Sequence, residues 1–157
     1  MGCKFCESGR LKKVRNLETY EMVEQFLAIE EYLNIKLTHV VLMGIGEPFD
    51  NYDNVIKFIN ILNEGKGIDL GSRHITISTC GLVPKIKQFA LDGRQVNLAI
   101  SLHASNNEVR NSIMNINKAY PIEEVIDAVK YYIEKTNRRV TFEYIMLKDV
   151  NDKIKHA

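Results

Sequence analysis

The hydrophobic positions of this chain follow two spacings, one typical of buried strands and one typical of amphipathic helices. Short apolar runs that are rich in β-branched residues predict strands. These are residues 39–43, 75–79, 97–102 and 140–147. Apolar residues at three- and four-residue spacing predict helices. These are residues 19–33, 52–64, 83–91 and 121–137. The first strand is apolar throughout, so we expect it to be buried on both faces.

Strand and helix alternate along the whole chain, which predicts an α/β fold with a parallel sheet and helical crossovers. Such a sheet is either open and doubly wound or an arc of a barrel. A full (β/α)₈ barrel needs about 250 residues, whereas this chain has 157. The pattern therefore predicts one domain that contains at most part of a barrel.

Composition excludes some classes of protein. No apolar run approaches the roughly 20 residues of a membrane span, and residues 1–6 do not resemble a secretory signal. We therefore expect a cytoplasmic protein that does not contact a membrane. A net charge of +1 gives no support to nucleic-acid binding, although a local basic patch could still provide it. The three cysteines suit metal or redox chemistry in a reducing compartment.

Cys3 and Cys6 are three positions apart, and a tight turn would place both thiolates on one side. A structural zinc site needs two more ligands at similar spacing, and the other cysteine and the histidines are scattered singly. A redox pair normally follows a strand and opens a helix, and no strand precedes Cys3. Taken alone, the pair is either a metal or cluster ligand or an incidental reduced pair.

The segment Gly44-Ile45-Gly46-Glu47-Pro48 follows the first predicted strand. Ligands of α/β proteins bind at the carboxyl ends of strands, so this is the edge where a site is expected. Glycines let a ligand approach the backbone, and the Glu47 carboxylate could accept hydrogen bonds from a cationic amine. The alternative is a glycine-rich turn with a surface glutamate.

Polar residues also follow the next two strands, as Ser78-Thr79-Cys80-Gly81 and Ser101-Leu102-His103-Ala104. Each segment alone could be a turn or a helix cap. Because both lie at the same predicted edge as Glu47, a shared pocket is favoured. Histidines and cysteines in such places are more often structural, so neither His103 nor Cys80 is assigned an acid-base role.

Basic residues could contact a phosphate backbone near this pocket. Residues 10–15 form a basic run close to the cysteine pair. Further candidates are Arg110, Lys118, Arg138 and Arg139. Most such residues in proteins are only solvated surface.

Together, several motifs resemble those of one family, the radical S-adenosylmethionine (SAM) methyltransferases that modify C2 of an adenine in 23S ribosomal RNA and transfer RNA. Their order and approximate spacing match over nearly the whole chain. The motifs are residues 3–9, 15–17, 44–48, 75–81, 100–104 and 117–121. The resemblance extends to residues 142–144 and 150–152.

The resemblance implies a radical SAM fold, here a partial (β/α) barrel, with a [4Fe-4S] cluster and SAM as cofactors. Cys3 and Cys6 match the second and third cysteines of the cluster motif C-x3-C-x2-C. The positions that match the family's SAM pocket are Gly46, Glu47, Ser78, Ser101, Leu102 and His103. The implied partners are the RNA substrate and a reducing protein such as flavodoxin or ferredoxin.

The resemblance also implies a mechanism. In the family, one SAM methylates a protein cysteine, and a second SAM is cleaved to a deoxyadenosyl radical that activates this methyl group for addition to adenine. A radical is needed because C2 of adenine is not nucleophilic.

The chain departs from the family pattern at both ends. The first cluster cysteine should lie two positions before Met1, and the methyl-carrying cysteine should lie beyond residue 157. We therefore expect residues 1–157 to be an incomplete core without the first strand, the C-terminal part or the RNA-recognition domain. Cys80 lies in the wrong motif to replace the methyl-carrying cysteine. The chain thus has no catalytic residue of its own and should be inactive alone.

Three alternatives remain open. The chain could belong to a relative that methylates C8 of the same adenine and confers antibiotic resistance. It could be another radical SAM enzyme, such as an activase or a peptide-modifying protein, although the motifs at residues 15–17 and 117–121 argue against this. It could also be a non-catalytic remnant that binds RNA or protein without a cluster.

Overall fold

The fold is an α/β arrangement around one parallel sheet, seen in a computed structural model that describes residues 1–156. The strands of these residues are β1 Val40–Leu42, β2 Ile75–Thr79, β3 Asn97–Ser101 and β4 Val140–Glu143. All pairs are parallel, and the spatial order is β1-β2-β3-β4. Because each strand lies beside its successor in the chain, right-handed crossovers place the helices on one face of the sheet. The sheet is therefore an arc of a (β/α) barrel, as predicted.

The helices connect these strands and close them on one side. They are α1 Thr19–Leu33, α2 Tyr52–Leu62, α3 Val83–Leu91, α4 Asn107–Ile113 and α5 Ile122–Thr136. Short 3₁₀ segments lie at Glu7–Arg10, Pro48–Asn51, Ser72–His74, Asn115–Lys118 and Ile154–His156. None of the helices in residues 1–156 has the length and apolar character that crossing a membrane requires.

The hydrophobic core lies between the helices and one face of the sheet. Alternate residues of the two central strands supply the sheet side of this core, which consists of Ile75, Ile77, Leu98 and Ile100. The helices contribute aromatic and aliphatic side chains, including Phe26, Phe58, Ile59, Ile86, Phe89, Val125 and Tyr132. Burial of apolar surface stabilises the fold by about 25 cal/mol per Å². The strand face that carries the aliphatic side chains is therefore held against the helices, and the opposite face is the one available to bind a ligand.

The opposite face of the sheet, here called the inner face, is largely polar. The strand register shows which residues lie on this face, because residues paired across parallel strands point to the same side. Thr76 pairs with Val41, and Ser101 pairs with Glu143. Ser78 lies on this face two residues after Thr76. The period of two therefore sends aliphatic side chains to the helices and hydroxyl and carboxyl groups to the inner face.

The structure confirms every predicted strand and helix but changes several ends. The strand predicted at residues 140–147 stops at Glu143, and the helix predicted at residues 52–64 stops at Leu62. The helix α4 was not predicted. The prediction that the first strand is buried on both faces is wrong, since Val41 is 61% exposed. β1 ends the sheet within residues 1–156, and no described element covers its inner face.

We expect Phe89→Ala to lower the free energy of unfolding by about 3 to 5 kcal/mol, because it leaves a cavity in the core. The Phe89 side chain is fully buried, with its ring centroid 5.5 Å from that of Phe49 and 6.0 Å from that of Tyr132. Urea unfolding followed by circular dichroism measures the change. The matched control is Leu91→Ala on the same helix, because Leu91 is 68% exposed and should cost about 0.5 kcal/mol or less. Equal losses in both variants would contradict the proposed core.

Candidate functional site

The cysteine loop, defined as residues 3–6, is a tight turn docked on the rest of the fold. The Cys6 N–H donates to the Cys3 carbonyl oxygen at 3.3 Å, and the Gly9 N–H donates to the Cys6 carbonyl oxygen at 2.9 Å. A Cβ on Gly9 would collide with the Cys3 carbonyl oxygen, so only glycine allows the chain to fold back this closely. The turn keeps the two cysteines together, as the spacing predicted.

Two contacts fix the cysteine loop beside the strand ends. The Lys4 N–H donates to the Ile113 carbonyl oxygen at 2.9 Å, which ties the loop to the end of α4. The Phe5 ring packs edge-on against the His103 ring, with the centroids 4.8 Å apart. The loop therefore lies directly against the segment that follows β3.

The two cysteines have different surroundings. A hydrogen bond from the Ser8 side chain lowers the pKa of the Cys6 thiol below its usual value. Burial raises the pKa of the Cys3 thiol, which packs in a small apolar cluster with Cys80 and Met114. Thiolates are the metal-binding form of cysteine. Cys6 is thus the more readily ionised of the two thiols, whereas burial opposes ionisation of Cys3.

The cysteine loop does not form a complete metal site by itself. Among residues 1–156, no three His, Cys, Asp or Glu side chains come close enough together to hold a metal ion. Two thiolates on an anchored loop fit two of the three cysteine positions that the predicted cluster uses.

Glu47 holds the rim of the neighbouring pocket. Its Oε1 accepts a hydrogen bond from the Phe49 N–H at 3.1 Å, and its Oε2 accepts one from the Cys80 N–H at 2.8 Å. The carboxylate therefore joins the end of β1 to the end of β2. Each carboxylate oxygen has lone pairs left for a further donor. Glu47 is thus a positioned acceptor rather than a free surface glutamate.

The glycines before Glu47 leave its approach open. Gly46 has φ +100°, a conformation that residues with a side chain rarely adopt. A Cβ at Gly44 or at Gly46 would meet no atom within 4 Å. Backbone groups of this segment are consequently accessible to a ligand, as the glycine pattern predicted.

A second acidic residue of the site, Glu143, was missed by the sequence analysis. Its Oε2 accepts hydrogen bonds from the hydroxyls of Ser78 and Ser101, both at 3.0 Å, and these two hydroxyl oxygens are 3.3 Å apart. The three residues come from β2, β3 and β4. The available signal was the period of two in the last strand, which puts Glu143 on the polar inner face next to Ser101.

His103 is a structural centre of the loop after β3. It adopts φ +58° and is 8% exposed. Its Nδ1 accepts a hydrogen bond from the Ile145 N–H at 3.0 Å, so this nitrogen carries no proton. Its carbonyl oxygen accepts one from the Asn151 side-chain amide at 2.8 Å. Burial lowers the pKa of His103, which keeps the ring neutral near pH 7.

Asn151 and the backbone of Glu143 complete this loop. The Asn151 amide also donates to the Ile145 carbonyl oxygen at 2.7 Å, and its Oδ1 accepts from the Leu147 N–H at 2.6 Å. The N–H groups of Leu102 and His103 both donate to the Glu143 carbonyl oxygen at 3.1 Å. The predicted Ser101-Leu102-His103 segment is therefore held by β4 and by the turn after it.

Arg110 was predicted as a possible contact for a phosphate backbone, and this prediction is wrong because the side chain is fully buried. The guanidinium donates to five oxygens, none of which is charged. The acceptors are the carbonyls of Cys80 (2.7 Å), Ser101 (3.4 Å), Leu102 (3.1 Å) and Tyr120 (3.3 Å), and the side-chain oxygen of Asn117 (2.9 Å). Arg110 thus binds the backbone carbonyls at the ends of β2 and β3 and holds these two strand ends together.

Three of the other basic candidates contact groups within the protein. In the run at residues 10–15, Lys13 pairs with Asp50 at 2.6 Å and Arg15 pairs with Glu21 at 2.6 Å. Arg138 is half-buried and donates to the Asn97 side chain at 3.0 Å. These side chains are already engaged, so the geometry gives no support to a shared phosphate surface.

The site therefore gathers most of the predicted residues at one edge. Glu47, Ser78, Ser101 and His103 lie at the carboxyl ends of three neighbouring parallel strands. The cysteine loop closes beside His103. Such an arrangement can bind a small polar ligand at the strand ends next to a metal group held by thiolates.

Lowering the pH should destabilise the protein through His103. Because the unfolded chain titrates near the usual value, it binds a proton at higher pH than the folded state, so stability is lost as pH falls through about 6.5. Protonation also breaks the bond from the Ile145 N–H. We expect the free energy of unfolding to fall between about pH 7 and pH 5, measured by urea unfolding across this range.

The control for this pH dependence is His103→Asn. Asparagine tolerates a positive φ and offers an oxygen acceptor that does not titrate. The variant should fold and should lack the part of the pH dependence that belongs to His103, since the other three histidines are unchanged. Identical pH dependence in the two proteins would show that His103 titrates normally.

Comparison with known proteins agrees with this geometry. The family model described as the Radical SAM superfamily matches residues 1–157. A "Probable dual-specificity RNA methyltransferase RlmN" of Spiroplasma citri is 64% identical over 155 residues, which are 97% of this chain and 45% of that protein. A protein with the same description from Enterococcus faecalis is 59% identical over 162 residues, covering 100% of this chain and 45% of its own length.

A solved structure gives the same result. The crystal structure of a radical SAM methyltransferase from Sphaerobacter thermophilus has a TM-score of 0.94 and 44% sequence identity to this chain, covering 99% of this chain and 46% of that one. The chain thus spans about 45% of the length of the curated relatives it matches. With a paired-cysteine loop beside the strand ends of a parallel (β/α) arc and a family match over its whole length, the chain belongs to the radical SAM superfamily.

Proposed function

We propose that this chain is the central part of a radical SAM methyltransferase that methylates C2 of an adenine in 23S ribosomal RNA and transfer RNA. The observation that carries the proposal is the meeting of the cysteine loop with the polar ends of β1, β2 and β3 at one edge. The relatives described as RNA methyltransferases are 64% and 59% identical. The matched regions cover 97% and 100% of this chain.

The cysteine loop would hold the cluster in this function. Cys3 and Cys6 would bind two irons, and a cysteine upstream of residue 1 would bind a third. The hydrogen bond from Ser8 favours the thiolate of Cys6, and the tie between Lys4 and Ile113 fixes the position of the loop. When bound, the cluster supplies the electron that cleaves SAM reductively, which gives access to a carbon that ordinary methyl transfer does not reach.

The edge of the sheet would bind SAM. The proposed ligand residues are Gly46, Glu47, Ser78, Ser101, Leu102 and His103. The Glu47 carboxylate suits the ammonium of the methionine part, since it retains free lone pairs beside the open glycine segment. Glu143, which already accepts from both serine hydroxyls, orients these hydroxyls toward the same pocket. His103 shapes the rim through its neutral ring and does not transfer a proton.

The complete activity would need parts of the protein other than residues 1–157. We infer that residues 1–157 are an incomplete core and that RNA recognition and the methyl-carrying cysteine lie outside them. The support is the length of the relatives, of which this chain covers about 45%. A flavodoxin or ferredoxin would provide the reducing electron, and the cytoplasm is the compartment where RNA and reduced thiols occur together.

A set of cysteine variants tests the cluster site. In the chain extended upstream in its reading frame to the expected cysteine, anaerobic reconstitution should give the absorbance of a [4Fe-4S] cluster and SAM cleavage. Cys3→Ala and Cys6→Ala should lose most of the bound iron, because affinity depends on the number of thiolates. Cys80→Ala is the matched control and should keep its iron. If the extended chain binds no iron under conditions that load an intact relative, the cluster assignment fails.

RNA methylation tests the activity. The complete protein, supplied with SAM and a reductant, should form 2-methyladenosine in unmodified 23S ribosomal RNA and transfer RNA, detected by mass spectrometry of the nucleosides. Glu47→Gln should lower this activity about tenfold or more, because it removes a charged acceptor. The matched control is Glu64→Gln, since Glu64 is exposed and lies just after the C-terminal end of α2. Formation of 8-methyladenosine would favour the resistance relative, and an unmodified RNA with intact SAM cleavage would favour another radical SAM enzyme.

A further inference from the structure

Arg110 is a buried cation whose hydrogen-bond acceptors in the described part of the chain are all uncharged. Its side chain is among the largest that are fully buried in this protein. Its five hydrogen bonds satisfy the guanidinium donors, but all of them end on neutral oxygens. Within residues 1–156, no carboxylate forms an ion pair with Arg110. The hydrogen-bond donors of Arg110 are therefore satisfied, whereas its positive charge is not neutralised by these contacts.

Such a charge is costly. Burial of an ion carries a penalty of several kcal/mol even after relaxation, and neutral acceptors recover only part of it. Buried arginines are accordingly paired with anions in most proteins. The arrangement here implies that an anion completes the surroundings of Arg110 when the site is loaded.

The cysteine loop is anchored on the same elements as Arg110, and its thiolates can serve as that anion. Arg110 lies on α4, and the last residue of this helix, Ile113, binds the Lys4 N–H of the loop. The guanidinium also binds the carbonyl of Cys80, a residue that packs in one cluster with Cys3.

Glu47 is another acidic group near Cys80, and within residues 1–156 it forms no ion pair with Arg110. Its carboxylate binds the N–H of Cys80, whereas Arg110 binds the carbonyl of the same residue. Glu143 binds the hydroxyls of Ser78 and Ser101 on the inner face, and Arg110 binds Ser101 through its carbonyl. Both carboxylates are thus engaged on the pocket side, while Arg110 lies behind it.

We propose that Arg110 is a charge-compensating residue: its buried cation offsets the negative charge of the Cys3 and Cys6 thiolates and of the cluster they hold, and so raises the reduction potential of that cluster. This inference rests on the proposed cluster site. Each electron added to a thiolate-bound cluster adds one negative charge, so a fixed cation in a region of low dielectric favours the reduced form.

A purely structural role would be different. In that case, Arg110 would only clamp the strand-end carbonyls, and its replacement would change stability without changing the potential. Arg110→Gln removes both the charge and most of the hydrogen bonds. Arg110→Lys keeps the charge but cannot reach all five acceptors. Asn117→Asp keeps the arginine and places a carboxylate on its guanidinium, at the oxygen that now lies 2.9 Å away.

The experiment is a midpoint-potential titration of the reconstituted cluster in the complete protein, followed by electron paramagnetic resonance. Arg110→Gln and Asn117→Asp should both shift the potential to more negative values, and Arg110→Lys should stay closer to the parent protein. Thermal unfolding of the same samples should separate this order from stability, because Arg110→Lys loses hydrogen bonds as Arg110→Gln does and yet should stay closer to the parent potential. Asn117→Asp gains an ion pair but loses the two hydrogen bonds that the Asn117 amide donates to Asn107 and Asn111, both at 3.0 Å.

The matched control is Asn60→Asp. Asn60 also accepts a hydrogen bond from an arginine, Arg94, at 2.6 Å, but it lies on α2 and away from the cysteine loop. This variant should leave the potential unchanged. If Arg110→Gln does not fold, the comparison of Asn117→Asp with Asn60→Asp carries the test, since neither variant removes an arginine.

The outcomes distinguish this inference from the proposed function. A cluster that is present in the parent protein but keeps its potential in Asn117→Asp and in folded Arg110→Gln overturns the role of Arg110 and leaves the cluster site intact. A parent protein that binds no cluster overturns both. A negative shift in Asn117→Asp without a shift in Asn60→Asp supports charge compensation.

Discussion

The parallel register of β2, β3 and β4 is the constraint on which the rest of the site depends. It places Ser78, Ser101 and Glu143 on one face and within hydrogen-bonding distance of each other. The same period sends the intervening aliphatic residues into the core. Because a slip of one residue would exchange the two faces, burial of the core and assembly of the polar pocket are the same event.

Much of this could be predicted from sequence because two simple periods encode it. The strand and helix spacings gave the α/β alternation, and the parallel sheet that follows from it brings Glu47, Ser78 and Ser101 to one edge. The ends of elements were less predictable. The apolar residues after Glu143 continue the β pattern, although the chain there turns around His103 and Asn151 to satisfy their hydrogen bonds.

Two features could not be predicted by these periods. The helix α4 has seven residues, of which only Val109 and Ile113 are aliphatic, so it is too short for a periodic signal. Arg110, on the same helix, looks like any surface arginine in the sequence. Its burial depends on carbonyl groups from Cys80 and Leu102 that only the fold brings together, and no local pattern carries such long-range information.

Glu143 has a consequence for how this family can vary. Its carboxylate orients two serine hydroxyls, while its own carbonyl oxygen accepts the N–H groups of Leu102 and His103. One residue thereby links pocket polarity to the path of the loop after β3. Because the second link runs through the backbone carbonyl, a substitution of Glu143 would remove the acceptor that the Ser78 and Ser101 hydroxyls share but would leave the path of the loop in place. The polarity of this edge can therefore change while its backbone frame is kept.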